Sequence, residues 1–211
     1  MGMDAGFWHS RWAAGNIGFH EGTPNAHLMN HAARLGTGRR VLVPLCGKSE
    51  DLASLAAQGH QVVGVELVES AVRAFFGEHQ ATPTITRVGP FGRYTAENVT
   101  VLVGDFFATT RELLGPVDAL YDRAALVALP PAMRSAYVEH LRTLMPAGAP
   151  GLVVTMEYPQ DGMSGPPFSV PESEVRARYA GLPLERLAEV RAEGARFTEV
   201  GAVEKCFAVR F

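Results

Sequence analysis

The sequence predicts an α/β protein built on a doubly wound, mostly parallel sheet, and three observations predict it. Short apolar runs suited to strands buried on both faces recur at 41–45, 61–65, 99–103, 117–121 and 151–158. Between them lie segments with apolar residues at helical spacing, such as Leu52-Leu55-Ala56 and Met133-Tyr137-Leu141. The stretch 41–66 runs strand, turn, helix, strand, acid, which is the form of a mononucleotide-binding half.

The elements follow in order. The first twenty residues carry Phe7, Trp8, Trp12 and Phe19. Two accounts fit this density of rings: a helix packed onto the domain, and a lid over a ligand, formed within residues 1–37. Thr23-Pro24-Asn25 then begins a helix with proline in its first turn, Leu28, Ala32 and Leu35 on one face, and Gly36 at its end. His27 and His31 lie one turn apart on it, but no carboxylate or third ligand accompanies them, so they read as surface histidines.

The apolar run Val41 to Leu45 is the first strand, and Cys46-Gly47-Lys48 turns the chain. Ser49 caps a helix whose first turn holds Glu50 and Asp51, as the helix dipole favours, and Gly59 ends it. Gln61 to Val65 is the second strand, closed by Glu66. A carboxylate there, roughly 20 residues beyond the turn, accepts hydrogen bonds from the hydroxyls of an adenosine ribose. A dinucleotide fingerprint needs three glycines for the approach of a pyrophosphate, and only Gly47 is present. S-adenosylmethionine carries no phosphate and needs one open turn, so it is favoured over a nicotinamide cofactor. The aromatic amino terminus agrees, because a sulfonium cation is attracted to ring faces. Gly47-Lys48-Ser49 is no phosphate-binding loop, since Leu42 stands where that motif needs glycine. Cys46 reads as a small residue fitting against a ligand rather than a nucleophile.

Residues 70–76 continue as a helix, and 82–98, rich in Pro, Gly and Thr, reads as a hairpin or loop insertion. Val99 to Val103 is the third strand. Asp105 after it reaches the same crevice as Glu66, where Asp105 or the Phe106 amide meets the adenine edge; a turn-forming aspartate is an equally good account. Val117 to Tyr121 is the fourth strand, followed at once by Asp122-Arg123. Charges there are costly to bury without a purpose or partner, so they sit over the crevice or form a structural ion pair. A helix starts at Pro130-Pro131, and Gly151 to Tyr158 is the fifth strand. The stiff loop 159–170, with Pro166-Pro167-Phe168, suits a pocket wall. A short helix at 171–179 and an antiparallel pair, 184–190 with 202–211, close the chain.

Composition bounds the reading. A chain of 211 residues is most simply one domain. With 19 basic and 22 acidic residues the net charge is −3, and no basic block invites nucleic acid or an anionic membrane. No signal peptide or membrane-spanning run is evident, and two distant cysteines carry no framework or metal spacing, so a reducing cytoplasm is expected.

The motifs Phe7-Trp8, Arg11-Trp12, Gly18-Phe19-His20, Val43-Pro44-Leu45-Cys46-Gly47-Lys48-Ser49, Gly64-Val65-Glu66, Asp122-Arg123-Ala124-Ala125-Leu126-Val127-Ala128 and Pro166-Pro167-Phe168 resemble, in order over nearly the whole length, thiopurine S-methyltransferases, most of all their short bacterial members. The resemblance implies a class I methyltransferase sheet of seven strands, Rossmann-like, with an antiparallel last strand. It implies S-adenosylmethionine contacts at Trp12, Leu45, Glu66 and Arg123, with Trp8, Gly47, Asp105 and Phe106 beside them. Phe19, Arg196 and Phe168 fall on the acceptor side, although the spacing after Arg196 is shortened. Arg123 and Asp122 are the expected catalytic pair: Arg123 holds the acceptor as its anion, and Asp122 orients Arg123 or relays a proton. The implied reaction is an in-line methyl transfer to the sulfur of an aromatic or heterocyclic thiol, by a monomer. The alternatives are selenium or tellurium oxyanions or halide-like acceptors, a nicotinamide oxidoreductase, and a non-catalytic binding protein.

Overall fold

The computed structural model describes residues 5–17, 21–123 and 125–211. Helices α1 (Ala5–Ala13) and α2 (Ala26–His31) precede β1 (Arg40–Pro44), α3 (Glu50–Ala57), β2 (Gln61–Glu66) and α4 (Glu69–Glu78). A hairpin of β3 (Thr84–Val88) and β4 (Phe91–Ala96) leads into β5 (Val99–Val103). Next come α5 (Arg111–Leu114), β6 (Ala119–Arg123), α6 (Ala125–Ala128), α7 (Pro131–Leu144) and β7 (Pro150–Glu157). The chain closes with α8 (Glu172–Arg178), β8 (Leu184–Arg191), α9 (Ala195–Glu199) and β9 (Val203–Arg210).

These strands form one sheet in the order β3-β4-β5-β2-β1-β6-β7-β9-β8. Neighbours from β5 through β7 are parallel, and β9 is antiparallel to both β7 and β8. This is the expected doubly wound sheet with its antiparallel last strand. The segment 82–98 is a hairpin, and its two strands raise the expected seven to nine. Strand order reverses between β1 and β6, so the crevice for a ligand opens above the carboxyl ends of β1, β2 and β5.

Alternation along the strands sorts side chains between two cores. Leu42, Val63, Val65, Leu120, Val153 and Phe207 pack with Tyr137, Val138 and Leu141 of α7 and Val175 of α8. On the other face, Val41, Val43, Val62, Tyr121, Val154 and Cys206 pack with Leu28 of α2, Leu52 and Leu55 of α3, and Val72 of α4. Among the described residues no helix is long and apolar enough to cross a membrane.

Several expectations need correction. The helix expected from Thr23 starts at Ala26, because the Asn25 side chain accepts from the His27 amide as its cap, leaving Pro24 outside. The fourth strand is shifted by two residues. Val117 is held in a turn, where its amide donates to the Gly115 carbonyl, while the Asp118 carboxylate accepts from the Arg40 amide. Asp122 and Arg123 are therefore the last two strand residues and point to opposite faces, so neither pairs with nor orients the other. His27 is buried rather than a surface residue, because its face of α2 also carries Leu28 into the core.

Candidate active site

The turn after β1 is conformationally unusual. Leu45 has φ +48° and Gly47 φ +54°, a region that costs a residue with a Cβ about 1–2 kcal/mol. Two hydrogen bonds to β2 hold the turn: the Cys46 amide donates to the Val65 carbonyl at 3.1 Å, and the Gly47 amide to Glu66 Oε2 at 2.8 Å. The Trp12 ring packs against this glycine, so that a Cβ there would sit in contact with it at 3.4 Å. Cys46 points into the sheet rather than toward a ligand. It fills the space that Gly64 leaves open, where an added Cβ would lie 2.8 Å from the sulfur. Burial, with Glu66 nearby, raises its thiol well above the ordinary range, so it is no nucleophile.

Glu66 ends β2 nearly enclosed. Oε2 accepts from the Gly47 amide and Oε1 from the Val68 amide, each at 2.8 Å. Burial raises its pKa, opposed by the amides of Val68, Gly47 and Leu67. A carboxylate offers about four lone-pair sites. At least two are used by the backbone, which leaves acceptor capacity on a carboxylate that also lines a cavity. That is the acceptor pattern a ribose diol requires.

The cavity has a volume of about 320 Å³, within the usual span for small-molecule sites. Leu45 and Gly47 line it from the β1 turn, and Gly104, Asp105, Phe106 and Phe107 from the end of β5. Trp8, Arg11 and Trp12 reach it from α1, and Val127, Ala128 and Met133 from α6 and the start of α7. Asp105 is the turn-forming aspartate of the alternative account and also reaches the crevice of Glu66. Its side chain accepts from the Phe107 amide at 2.9 Å as a turn cap, and it borders the cavity. The residues fit S-adenosylmethionine: an acceptor carboxylate for the ribose, an apolar bed at Phe106 for adenine, and indole faces for the sulfonium.

Arg196 also lines this cavity, from α9, a short helix that the sequence reading did not anticipate in the shortened segment. Its guanidinium stacks over the Phe197 ring at 4.5 Å. A second, wider cavity of about 930 Å³ shares Arg11, Pro166, Pro167 and Arg196 with the first. Arg11 enters the sequence reading only within the Arg11-Trp12 motif, with no site role, although it shares a helix face with Trp8 and Trp12. Phe168 is half-buried, packs its ring where a Gly165 side chain would be, and borders neither cavity. Phe19 lies outside the described residues.

Arg123 and Asp122 are not among the lining residues. The Arg123 guanidinium pairs with Glu21, which also accepts from Asn25 Nδ2 at 3.4 Å. Burial pulls its pKa down, but Glu21, Asp51, Tyr121 and Glu204 outweigh it and raise the value, so the charge is retained. Asp122 is fully buried and accepts from the Tyr137 hydroxyl at 2.9 Å. Tyr137 in turn packs against Phe106 of the cavity wall, with ring centroids 5.3 Å apart. Burial pushes Asp122 up to about 7, against the Tyr137 hydroxyl and the Ala125 amide.

This shift has a sign. The ordinary value is 3.8 and the folded value about 7, so between them the folded state binds more protons than the unfolded state. Stability contributed by this group is present below about 4 and is lost as pH rises toward 7. Asp122→Asn is expected to remove that slope. Urea unfolding from pH 4.5 to 8 should show the variant gaining on the parent as pH rises, and parallel curves would refute the assignment.

Fold and cavity together define a class, the S-adenosylmethionine-dependent methyltransferases. The family model for thiopurine S-methyltransferase matches residues 3–205. A thiopurine S-methyltransferase of Pseudomonas aeruginosa is 55% identical over 181 residues, covering 85% of this chain and 83% of the relative. One of Pseudomonas fluorescens is 46% identical over 204 residues, covering 94% and 92%. The chain belongs to the thiopurine S-methyltransferase family. Among solved structures, a Burkholderia thailandensis 1,6-didemethyltoxoflavin-N1-methyltransferase superposes with TM-score 0.65 at 18% identity, over 98% of this chain and 86% of that one. A mycolic acid cyclopropane synthase superposes with TM-score 0.66 at 12% identity, over 88% and 83%. At these identities the likeness is one of fold.

Proposed function

We propose that the enzyme methylates the sulfur of an aromatic or heterocyclic thiol bound as its anion, acting in the cytoplasm as a monomer. One observation carries this reading: the cavity suited to the methyl donor meets a wider one at Arg11 and Arg196, two cations beside stiff proline walls. Bound S-adenosylmethionine supplies an activated methyl group on a sulfonium. Glu66 orients the ribose, and Trp8 and Trp12 cover the sulfonium side and exclude water. Arg11 and Arg196 hold an anionic acceptor at the shared boundary. A heterocyclic thiol is substantially ionised near neutral pH, so no base is required of the protein. Well-oriented reacting pairs gain roughly 7–11 kcal/mol from proximity alone. The residues named on the acceptor side, with Phe19 and Phe168, belong to this proposal. So does a role for Arg123 toward the cofactor, which requires Glu21 to release it, and for Asp122 as a positioning residue behind Phe106.

Turnover of S-adenosylmethionine to S-adenosylhomocysteine against mercaptopurine, an aromatic thiol, selenite, tellurite and iodide tests the reading. Thiol turnover is expected, with Arg196→Ala raising the acceptor KM about tenfold, or 1.4 kcal/mol. Donor affinity should stay within about twofold. Turnover of the oxyanions alone would move the acceptor class to small inorganic anions, which the same arginines suit.

A further inference from the structure

On the sheet face opposite the α7 core, α2 lays two imidazoles against β9. His27 and His31 are four residues apart and share a helix face. Their rings lie 15° from parallel with centroids 6.4 Å apart. On β9, Cys206 projects into the core that contains Leu28, and Glu204, two residues earlier, projects from the same strand face. Donor atoms of His27, His31 and Cys206 all lie within 4.8 Å of one another. Glu204 Oε2 lies 3.7 Å from His27 Nε2.

His27 Nε2 is what makes this more than proximity. The residue is 3% exposed, and this nitrogen has no hydrogen-bond partner. A buried polar atom left unsatisfied costs about 1–3 kcal/mol, and 3.7 Å is too long for Glu204 to satisfy it. The thiol of Cys206 is free and fully buried. The helix thus presents His-x-x-x-His to Cys206 on the strand, and Glu204, two residues before Cys206, stands beside this cluster next to His27.

We propose that His27, His31, Cys206 and Glu204 form a tetrahedral site for a thiophilic divalent cation of the zinc type. Two imidazoles, a thiolate and a carboxylate are borderline-soft donors that suit such an ion. One thiolate and one carboxylate supply the countercharge a buried ion requires, while the Arg123 cation, which acts on His27 and Glu204, is held by Glu21. Metal–ligand bonds of about 2.0–2.3 Å place the donors of such a site roughly 3.3–3.8 Å apart. Closing His27, His31 and Cys206 from the present spacing takes about 1 Å, and Glu204, which lies outside their cluster, has to swing in by a change of rotamer. As the metal–sulfur bond forms, the Cys206 thiol releases its proton to solvent. His31 is half-exposed and gives the ion a route in. The bound ion would tether α2 to β9, and α2 directly follows the segment whose Glu21 holds Arg123.

The test is a cobalt titration of the tag-free, full-length protein after chelator treatment. One equivalent of Co²⁺ should bind with the intense visible bands of a tetrahedral ion and a thiolate-to-cobalt charge-transfer band in the near ultraviolet. One equivalent of Zn²⁺ should abolish both. Cys206→Ser should lose the charge-transfer band, and Cys46→Ser, at the one other cysteine, should keep it. His31→Gln, at a half-exposed position that tolerates change, should weaken binding at least about tenfold. A parent protein with no charge-transfer band overturns the proposal, as does a band that survives in Cys206→Ser.

Discussion

Glu66→Gln is expected to raise the dissociation constant for S-adenosylmethionine by about 10–100-fold while leaving the fold intact. The reasoning is local. In the parent, each carboxylate oxygen accepts a backbone amide, from Gly47 and from Val68. An amide side chain replaces one of these acceptors by an NH₂ group, so a donor faces a donor and the turn after β1 is pushed open. The acceptor of the ribose hydroxyls is weakened at the same time. Charge-assisted hydrogen bonds are worth about 1.5–3 kcal/mol each, which sets the range. Calorimetric titration of the donor reads the effect directly. An unchanged constant would mean that Glu66 serves the turn alone.

Arg134→Ala is expected to lower stability by about 3–5 kcal/mol, the cost of breaking a buried ion pair by removing one partner. Arg134 is 1% exposed within α7. It donates to the Leu129 carbonyl at 3.0 Å, the Ser169 carbonyl at 3.2 Å and Glu174 at 2.7 Å. Removing it leaves two carbonyls without a donor and a void in the core. Glu174 keeps Arg178 at 3.2 Å, so the loss should fall toward the lower end. The two carbonyls belong to segments that build the cavity, through Leu129 and through Pro166-Pro167. Turnover should therefore fall even below the melting transition. Urea denaturation with an unchanged m-value, together with initial rates, checks both; a loss under about 1 kcal/mol would show that the pair is dispensable.

What was legible in the sequence follows physical lines. Strands buried on both faces announce themselves as apolar runs, and Ser49, Gly59 and Glu66 mark their elements by chemistry that depends only on near neighbours. The donor side of the site lies on such elements, at the ends of β1, β2 and β5. Features that depend on distant partners were not legible. Arg134 looks like any helical arginine until Glu174, 40 residues on, is brought to it. Asp51 reads as a helix-dipole acid, yet it is buried and accepts from the Tyr121 hydroxyl at 3.0 Å and the Asn25 amide at 2.7 Å. Asp122-Arg123 misled because the strand runs two residues beyond its apolar run, so both side chains lie within the sheet, on opposite faces, rather than in a loop over the crevice. The wider cavity proposed for the acceptor is lined from α1, α9 and a loop, whose positions rest on packing rather than on local pattern.

The turn sulfur of Cys46 and the missing side chain of Gly64 together occupy one small volume inside the sheet. Neither residue is therefore free to grow alone. A methyl group gained on β2 has to be matched by bulk surrendered in the turn, and a larger turn residue meets a Gly64 that has no side chain to give up. The spacing between the first two strands at the donor site is thus set jointly by two positions 18 residues apart, so substitutions accumulating in this protein should visit them as a correlated pair.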